Sequence, residues 1–283
     1  MRRRHKPVDW QASLERVGYL AAEDLADIVE VAVALERPLL LEGPAGVGKT
    51  ALAQALSRVL DRPLVRLQCY EGIDATQALY DWNYARQLAD LARHREEDPF
   101  QPGYLLARPL LRALTEPAGA VLLVDEIDRA DEAFEALLLE VLAEKQVTIP
   151  ELGTVSGQGP LHVVLTSNRT RALSDALRRR CLFHRLSWPE PARERAILRV
   201  HEPAAPDSLL RDVVTVVGRL RTWDLVKPPG VAESVDLTRA LVLRGRTSLD
   251  PDTLRGLLGT VIKDSTDWDA VVGRLAELFS GDG

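Results

Sequence analysis

Two cysteines, Cys69 and Cys181, and a single methionine are all the sulfur in the 283 residues of this chain. The cysteines lie far apart without metal-ligand spacing, which argues against a disulfide framework and for a reducing compartment. Aromatics are scarce, at 5%. No apolar run reaches the roughly eighteen residues that a membrane span requires. The N-terminal MRRRHKPVDW is basic but has no apolar segment behind it, unlike a secretory leader. A basic surplus is missing too: 36 Lys and Arg against 42 Asp and Glu give a net charge of −6. Proteins that grip a nucleic-acid backbone carry a basic surplus or a basic face, so no nucleic acid is expected as a partner. The basic runs are short, Arg2 to Arg4 with Lys6, and Arg178 to Arg180. These exclusions point to a cytoplasmic globular protein.

Between residues 38 and 188, short runs of Leu and Val alternate with stretches of helical spacing. The runs PLLLEG (38–43), PLVRLQC (63–69), AVLLVDE (120–126), LHVVLTSN (161–168) and LFHRLSW (182–188) read as strands apolar on both faces. Such strands suit a parallel sheet covered by helices. Helical spacing falls at 49–60, 105–115, 131–144 and 174–180; in the third, Phe134, Leu137, Leu138, Val141 and Leu142 share one side. The alternation predicts an α/β domain over 38–188. Residues 1–37 read as a helical lead-in. After Pro189 and Pro191 the spacing is helical throughout, which predicts a small all-α domain over 189–283 with VKPPGVAES (226–234) as a loop.

The chemistry concentrates in four places. LLLEGPAGVGKTALAQAL fits G-x-x-x-x-G-K-[ST] through Gly43, Gly48, Lys49 and Thr50, with an apolar strand before it and an Ala/Leu-rich helix after. The loop residues Gly43, Pro44, Ala45, Gly46, Val47 and Gly48, with Lys49, Thr50 and Ala51, are the candidate nucleotide contacts. Glycines let backbone N–H groups point at phosphate oxygens, and the helix N-terminus adds favourable partial charge. Lys49 supplies a point charge for the β and γ phosphates; Thr50 offers a hydroxyl to Mg²⁺. Next, AVLLVDEIDRA delivers Asp125 and Glu126 at a strand's C-terminal end, where open parallel sheets place ligands. Asp125 suits the Mg²⁺ shell, and Glu126 suits polarising an attacking water. ATP and Mg²⁺ are thus the expected cofactors, and an ATP hydrolase the expected enzyme. Third, Asn168 ends the run VVLTSN, where it can position that water. Fourth, SDALRRRCLF has a candidate N-cap at Ser174 and ends in three arginines pointing different ways, so they cannot all serve one site in their own subunit. One of them is a candidate to neutralise charge on a neighbour's γ-phosphate; a solvated basic helix end is the plainer alternative.

With these four pieces in order, the chain resembles an AAA+ ATPase of the MoxR type over nearly all of residues 20–245. The resemblance makes GPAGVGKT the Walker A loop, VLLVDE the Walker B strand, Asn168 sensor 1 and ALRRRC the arginine-finger segment, with Arg180 the first choice and Arg179 the second. It makes QVTIPELGTVSGQGPLHVV, about 146–162, a β-hairpin inserted before sensor 1. It makes Arg239, in DLTRAL, a sensor 2 arginine that reaches the nucleotide. RLQCYEGIDATQALYDWNYARQL, VDEIDRADEAFEALLLEVL, VTIPELGT and LTSNRTRALSDALRRRCL look like the CoxD group within that clade. The likeness implies a ring, expected to be a hexamer, in which ATP hydrolysis drives maturation of a metalloenzyme client. That client is expected to be a carbon monoxide dehydrogenase-type molybdenum hydroxylase, with a von Willebrand A domain protein as partner. A MoxR-type chaperone for another metalloenzyme and a nucleic-acid-directed AAA+ motor are the alternatives.

One feature stands outside the nucleotide motifs. Residues 69–88, matching an insert after the second strand in this clade, hold Tyr70, Tyr80, Trp82 and Tyr84, four of the chain's fourteen aromatics. Aromatics suit interfaces because they offer large area at small entropy loss. A partner-gripping loop and a satellite core cluster are both compatible with the pattern. Trp82 is the residue expected to be exposed.

Overall fold

The computed structural model describes residues 8–92, 102–150 and 152–280. The basic tail Arg2 to Arg4 lies outside the described residues. The chain divides into two compact units. The first, α/β in class, comprises the described residues of 1–17, 21–43 and 49–185; the second comprises those of 18–20, 44–48 and 186–283.

In the first unit the elements run α1 (Trp10–Arg16), α2 (Glu23–Ala34), β1 (Leu39–Glu42), α3 (Lys49–Leu60), β2 (Leu64–Gln68), α4 (Ala75–Ala78), β3 (Tyr80–Trp82), α5 (Tyr84–Ala92), β4 (Leu105–Ala107), α6 (Pro109–Leu114), β5 (Ala120–Asp125), α7 (Glu132–Glu144), β6 (Gln146–Ile149), β7 (Gly153–Ser156), β8 (Leu161–Ser167), α8 (Asp175–Arg180) and β9 (Leu182–Arg185). Five strands form a parallel sheet in the order β2-β5-β8-β1-β9. Residues of β1, β5 and β8 are buried throughout, so both faces are covered, as their unbroken apolar runs predict. The edge strands differ: β2 and β9 alternate between covered and exposed residues. That alternation turns Arg66 and Gln68 of β2 to one face, which becomes important at its C-terminal end. Caps at Asp131 for α7 and Ser174 for α8 accept backbone N–H groups and set where these helices begin.

Two antiparallel hairpins leave the sheet. One, β6–β7, pairs Val147 with Val155 just before β8. The other, β3–β4, pairs Trp82 with Leu105 and carries α5 between its strands. Residues 105–107 therefore extend as a strand rather than opening the helix expected over 105–115, because they pair with 80–82. The aromatic cluster is also the reverse of the expectation. Trp82 is 6% exposed; its ring tilts against Tyr104 at 6.2 Å, and its indole N–H donates to Gln87 at 3.3 Å. Tyr70 and Tyr84 are the exposed members, at 42% and 61%. The period-2 strand turns Trp82 inward, whereas Tyr84 opens a helix with no buried residue.

The second unit is helical: α9 (Pro191–His201), α10 (Asp207–Thr222), α11 (Val231–Leu243), α12 (Pro251–Leu257) and α13 (Ser265–Arg274). Their apolar faces meet in one core that includes Leu198, Val213, Val217, Leu237, Leu254 and Val271. The loop read at 226–234 is shorter than expected, because α11 starts at Val231. Arg221 holds that loop from below: it donates to the Pro229 carbonyl, forms a two-pronged pair with the buried Glu194, and stacks on Trp188 at 4.5 Å. Among the described residues no helix is long and apolar enough to cross a membrane.

Candidate active site

Within the α/β unit, strand order brings the C-terminal ends of β1, β5 and β8 side by side, and with them Lys49, Thr50, Asp125, Glu126 and Asn168. Lys49 is the first residue of α3 and is buried. Its ammonium donates to the Gly43 carbonyl at 2.7 Å and to Asn168 Oδ1 at 2.8 Å. Burial pulls its pKa below the ordinary lysine value, and Asp128, Asp125 and Glu126 work against that shift, Asp128 most strongly. Thr50 Oγ1 lies 3.2 Å from Asp125 Oδ1.

Asp125 is held on three sides. Besides Thr50, its carboxylate accepts from the Thr166 hydroxyl at 2.6 Å and from the Arg66 guanidinium at 2.6 and 3.1 Å. Glu126 accepts from the Gln68 amide at 3.0 Å and pairs with Arg129 at 3.3 Å. Its backbone is left-handed, φ 57°, a conformation uncommon for a residue with a side chain. The Thr166 hydroxyl accepts the Glu126 N–H at 2.9 Å and so ties the ends of β5 and β8 together. Arg66 and Gln68 were not picked out from the sequence as site residues. The signal was present, since two polar side chains at i and i+2 in an otherwise Leu/Val strand occupy one face.

Glu42, the last residue of β1, is 3% exposed and ion-paired with Arg169; Arg178 Nη1 stands 3.9 Å from its other oxygen. The three consecutive arginines are thereby distinguished. Arg178 faces Glu42 and lies 5.7 Å from the centre of the Phe183 ring. Arg180 donates to the Leu139 carbonyl at 3.2 Å. The exposed Arg179 side chain has no partner among the described residues.

The tip of the glycine loop, 44–48, groups with the helical unit. Gly46 and Gly48 have φ +74° and +97°, which only glycine adopts without strain. Gly46 touches Gly230: a Cβ built on Gly46 would lie 2.8 Å from the Gly230 Cα. The Val231 N–H donates to the Gly46 carbonyl at 2.9 Å, and the Glu233 carboxylate accepts from the Gly230 N–H at 2.8 Å. Arg239 is not brought to this loop. It sits eight residues beyond Val231, about 12 Å along the helix at ~1.5 Å per residue, and pairs with Glu202 at 2.7 Å.

The donor set fits the expected cofactors. A glycine loop with positive φ that leads into the first turn of a twelve-residue helix suits a phosphate chain, and a hydroxyl beside a carboxylate suits a hard oxygen-seeking cation.

The sequence profile of the AAA domain, dynein-related subfamily, matches residues 38–181, which is 144 of 283 and just over half the chain. The chain belongs to this family. With both nucleotide motifs in place, it is an AAA+ ATP hydrolase that uses ATP with Mg²⁺. Similar sequences include uncharacterised proteins of Staphylococcus epidermidis, 26% identical over 214 residues, and of Staphylococcus aureus, 27% identical over the same length. Each alignment covers 74% of this chain and 76% of the relative. Among solved structures, a point mutant of Thermotoga maritima RuvB aligns with TM-score 0.55 at 18% identity, over 92% of this chain and 77% of that one. The Thermotoga maritima RuvB Holliday junction branch migration motor aligns with TM-score 0.51 at 17% identity, over 96% and 78%. At such identities the likeness concerns the fold: a parallel sheet flanked by helices, followed by C-terminal helices.

Proposed function

We propose that the protein is a ring-forming AAA+ chaperone of the MoxR type, in its CoxD-like group, that uses ATP hydrolysis to remodel or mature a metalloenzyme. Its client is a carbon monoxide dehydrogenase-type molybdenum hydroxylase, and a von Willebrand A domain protein is its partner. The observation that carries this reading beyond ATP hydrolysis is the element between β2 and α6. It presents Tyr84, Leu88 and Leu91, exposed and spaced i, i+4, i+7 on α5, a surface that the core of the described residues does not use. The β6–β7 hairpin before β8 fits the same clade.

In the proposed cycle Lys49 pairs with the β and γ phosphates; Thr50 and Asp125 would hold Mg²⁺, which would neutralise charge on the phosphate oxygens. Water attacks the γ-phosphorus and the bond to the β,γ-bridging oxygen breaks, giving ADP and phosphate. Glu126 takes the water's proton, Gln68 orients Glu126, and Asn168 orients the water. An arginine of α8 from the next subunit of a hexamer stabilises the transferring phosphoryl group.

The test is capture from the native host with tagged Glu126→Gln protein in Mg²⁺ and ATP, using Lys49→Ala as control and mass spectrometry for identification. Retention of a von Willebrand A protein or a molybdenum hydroxylase subunit supports the proposal. Retention of a different metalloenzyme moves the client within the clade. The branch-migration motor among the structural neighbours raises a nucleic-acid-directed motor as the second reading. A net charge of −6 opposes it, and an ATPase rate stimulated by DNA or RNA would favour it.

A further inference from the structure

Asp128, three residues after the Walker B aspartate, belongs to none of the nucleotide motifs, yet it is 3% exposed beside them. One of its oxygens, Oδ2, accepts three hydrogen bonds: from the Asn168 N–H at 3.1 Å, the Thr170 N–H at 2.8 Å and the Thr170 hydroxyl at 2.7 Å. The Thr170 hydroxyl also stands 3.3 Å from the Asp128 carbonyl. Between the two bonded amides, Arg169 is left-handed at φ 65°. That conformation turns the amides of 168 and 170 toward a common point, where a carboxylate oxygen meets both. The side chain of Arg169 is anchored separately on Glu42. The loop bearing Asn168 is therefore clamped by a carboxylate on its backbone and by another on its middle side chain. The outcome of that clamping is measurable in the structure: Asn168 Oδ1 lies 2.8 Å from Lys49 Nζ.

Filling space does not by itself account for a carboxylate here, because an apolar residue would leave two backbone N–H groups without acceptors. The other oxygen, Oδ1, is also buried and has no hydrogen-bond partner among the described residues.

We infer that Asp128 is a positioning residue for ATP hydrolysis: it holds the sensor loop so that Asn168 stands at the distance from Lys49 that orients the attacking water. The inference rests on the water-orienting role proposed for Asn168. It gives the left-handed turn at Arg169 a function, since without that turn one oxygen could not take both amides.

The test is steady-state ATPase kinetics, with ADP binding and thermal melting, on Asn168→Ala, Asp128→Ala, Asp128→Asn, Thr170→Val and the Asn168→Ala/Asp128→Ala double variant. Misplacing a reacting group by about 1 Å lowers turnover ~10²-fold. Asp128→Ala and Asn168→Ala are each expected to lose that much kcat with KM and ADP affinity near the parent. The double variant is expected to lose no more than the worse single variant, because both act on one positioned group. Asp128→Asn keeps an acceptor oxygen for the two amides and is expected to recover most of the loss. Thr170→Val, which leaves both backbone bonds, reports a partial loss even if Asp128→Ala fails to fold. Losses that multiply in the double variant, or parental kcat in Asp128→Ala, would overturn the inference and leave the Asn168 reading standing. Parental kcat in Asn168→Ala would instead overturn the Asn168 reading, and the inference with it.

Discussion

Asn168 Oδ1, just past the end of β8, and Lys49 Nζ, at the start of α3, are 119 positions apart in the chain and lie 2.8 Å from one another. The hydrogen bond joins the residue proposed to meet phosphate to the residue proposed to orient water. It sets a sharp expectation for two substitutions.

Lys49→Ala removes the buried ammonium and is expected to abolish ATP binding, since no other side chain of the glycine loop carries positive charge. Glu126→Gln keeps the size and the hydrogen bond to Gln68 but cannot accept a proton; it is expected to bind ATP normally and lose ~10²-fold or more in turnover. Calorimetric titration with ATP beside a phosphate-release assay separates the two. A Glu126→Gln protein turning over at the parental rate would take the proton-acceptor role away from Glu126.

Gly230 offers a test of the loop tip. Its φ of −87° is ordinary for any residue, so alanine there brings no backbone strain. The added Cβ would lie 2.6 Å from the Gly46 Cα and 2.9 Å from the Gly46 carbonyl oxygen, and something must shift. Gly230→Ala is expected to weaken ATP binding by about tenfold, ~1.4 kcal/mol. The control is Gly273→Ala on α13, where a Cβ meets open space and helix propensity favours alanine by ~1 kcal/mol. It should raise the melting temperature and leave ATP binding alone.

How much of this could be read before folding follows from the range of the interactions involved. The five parallel strands, the loop before Lys49 and the acidic pair Asp125–Glu126 are legible because local spacing and composition determine them. Glu42 is not: it reads as the end of an apolar strand, and only the fold brings Arg169 and Arg178 to it. Arg66 is similar, because its partner Asp125 lies across a strand pair closed by a long crossover. For Arg239, a short motif places the residue on α11 but does not say which turn of that helix meets the loop. Trp82 turns inward against expectation, because a three-residue strand gives too little periodicity to say which face is covered.

That reversal of the aromatics predicts opposite behaviour for neighbours. Trp82→Ala empties a packed position against Tyr104 and should destabilise the fold by about 3 kcal/mol, visible as a lower denaturation midpoint. Tyr84→Ala and Leu88→Ala remove exposed side chains and should change stability by less than ~0.5 kcal/mol while leaving basal ATP turnover unchanged. Loss of client capture in these two variants, with turnover intact, is the expected signature of a contact surface. Melting curves and the capture assay decide it.

Both cysteines are buried, and burial pushes each thiol up to about 12. Neither is expected to react with a thiol reagent in the native protein at pH 8, where the thiolate fraction is on the order of 10⁻⁴; both should react on denaturation. Because the folded values are raised, their contribution to stability is fully present below the unfolded thiol pKa of about 8.5 and is lost as pH rises toward 12. Titrating free thiols with and without denaturant reads the first effect directly.

The arginines of α8 differ in what they already touch, and that difference selects among them. Arg178 is drawn to Glu42 and Arg180 to the Leu139 carbonyl, whereas Arg179 is exposed without a partner among the described residues. Arg179, ahead of Arg180, is therefore the residue we expect to reach a neighbouring subunit. An arginine acting on a neighbour's γ-phosphate contributes ~10³-fold or more to turnover. Arg179→Ala is expected to lose that factor and still bind ATP, while Arg180→Ala should lose less and melt earlier. Mixing decides whether the arginine acts between subunits. Arg179→Ala protein binds ATP but lacks the arginine; Lys49→Ala protein keeps the arginine but cannot bind ATP. If Arg179 serves the next subunit, the mixture hydrolyses ATP where neither variant does alone. A mixture as inactive as its components would confine Arg179 to its own chain.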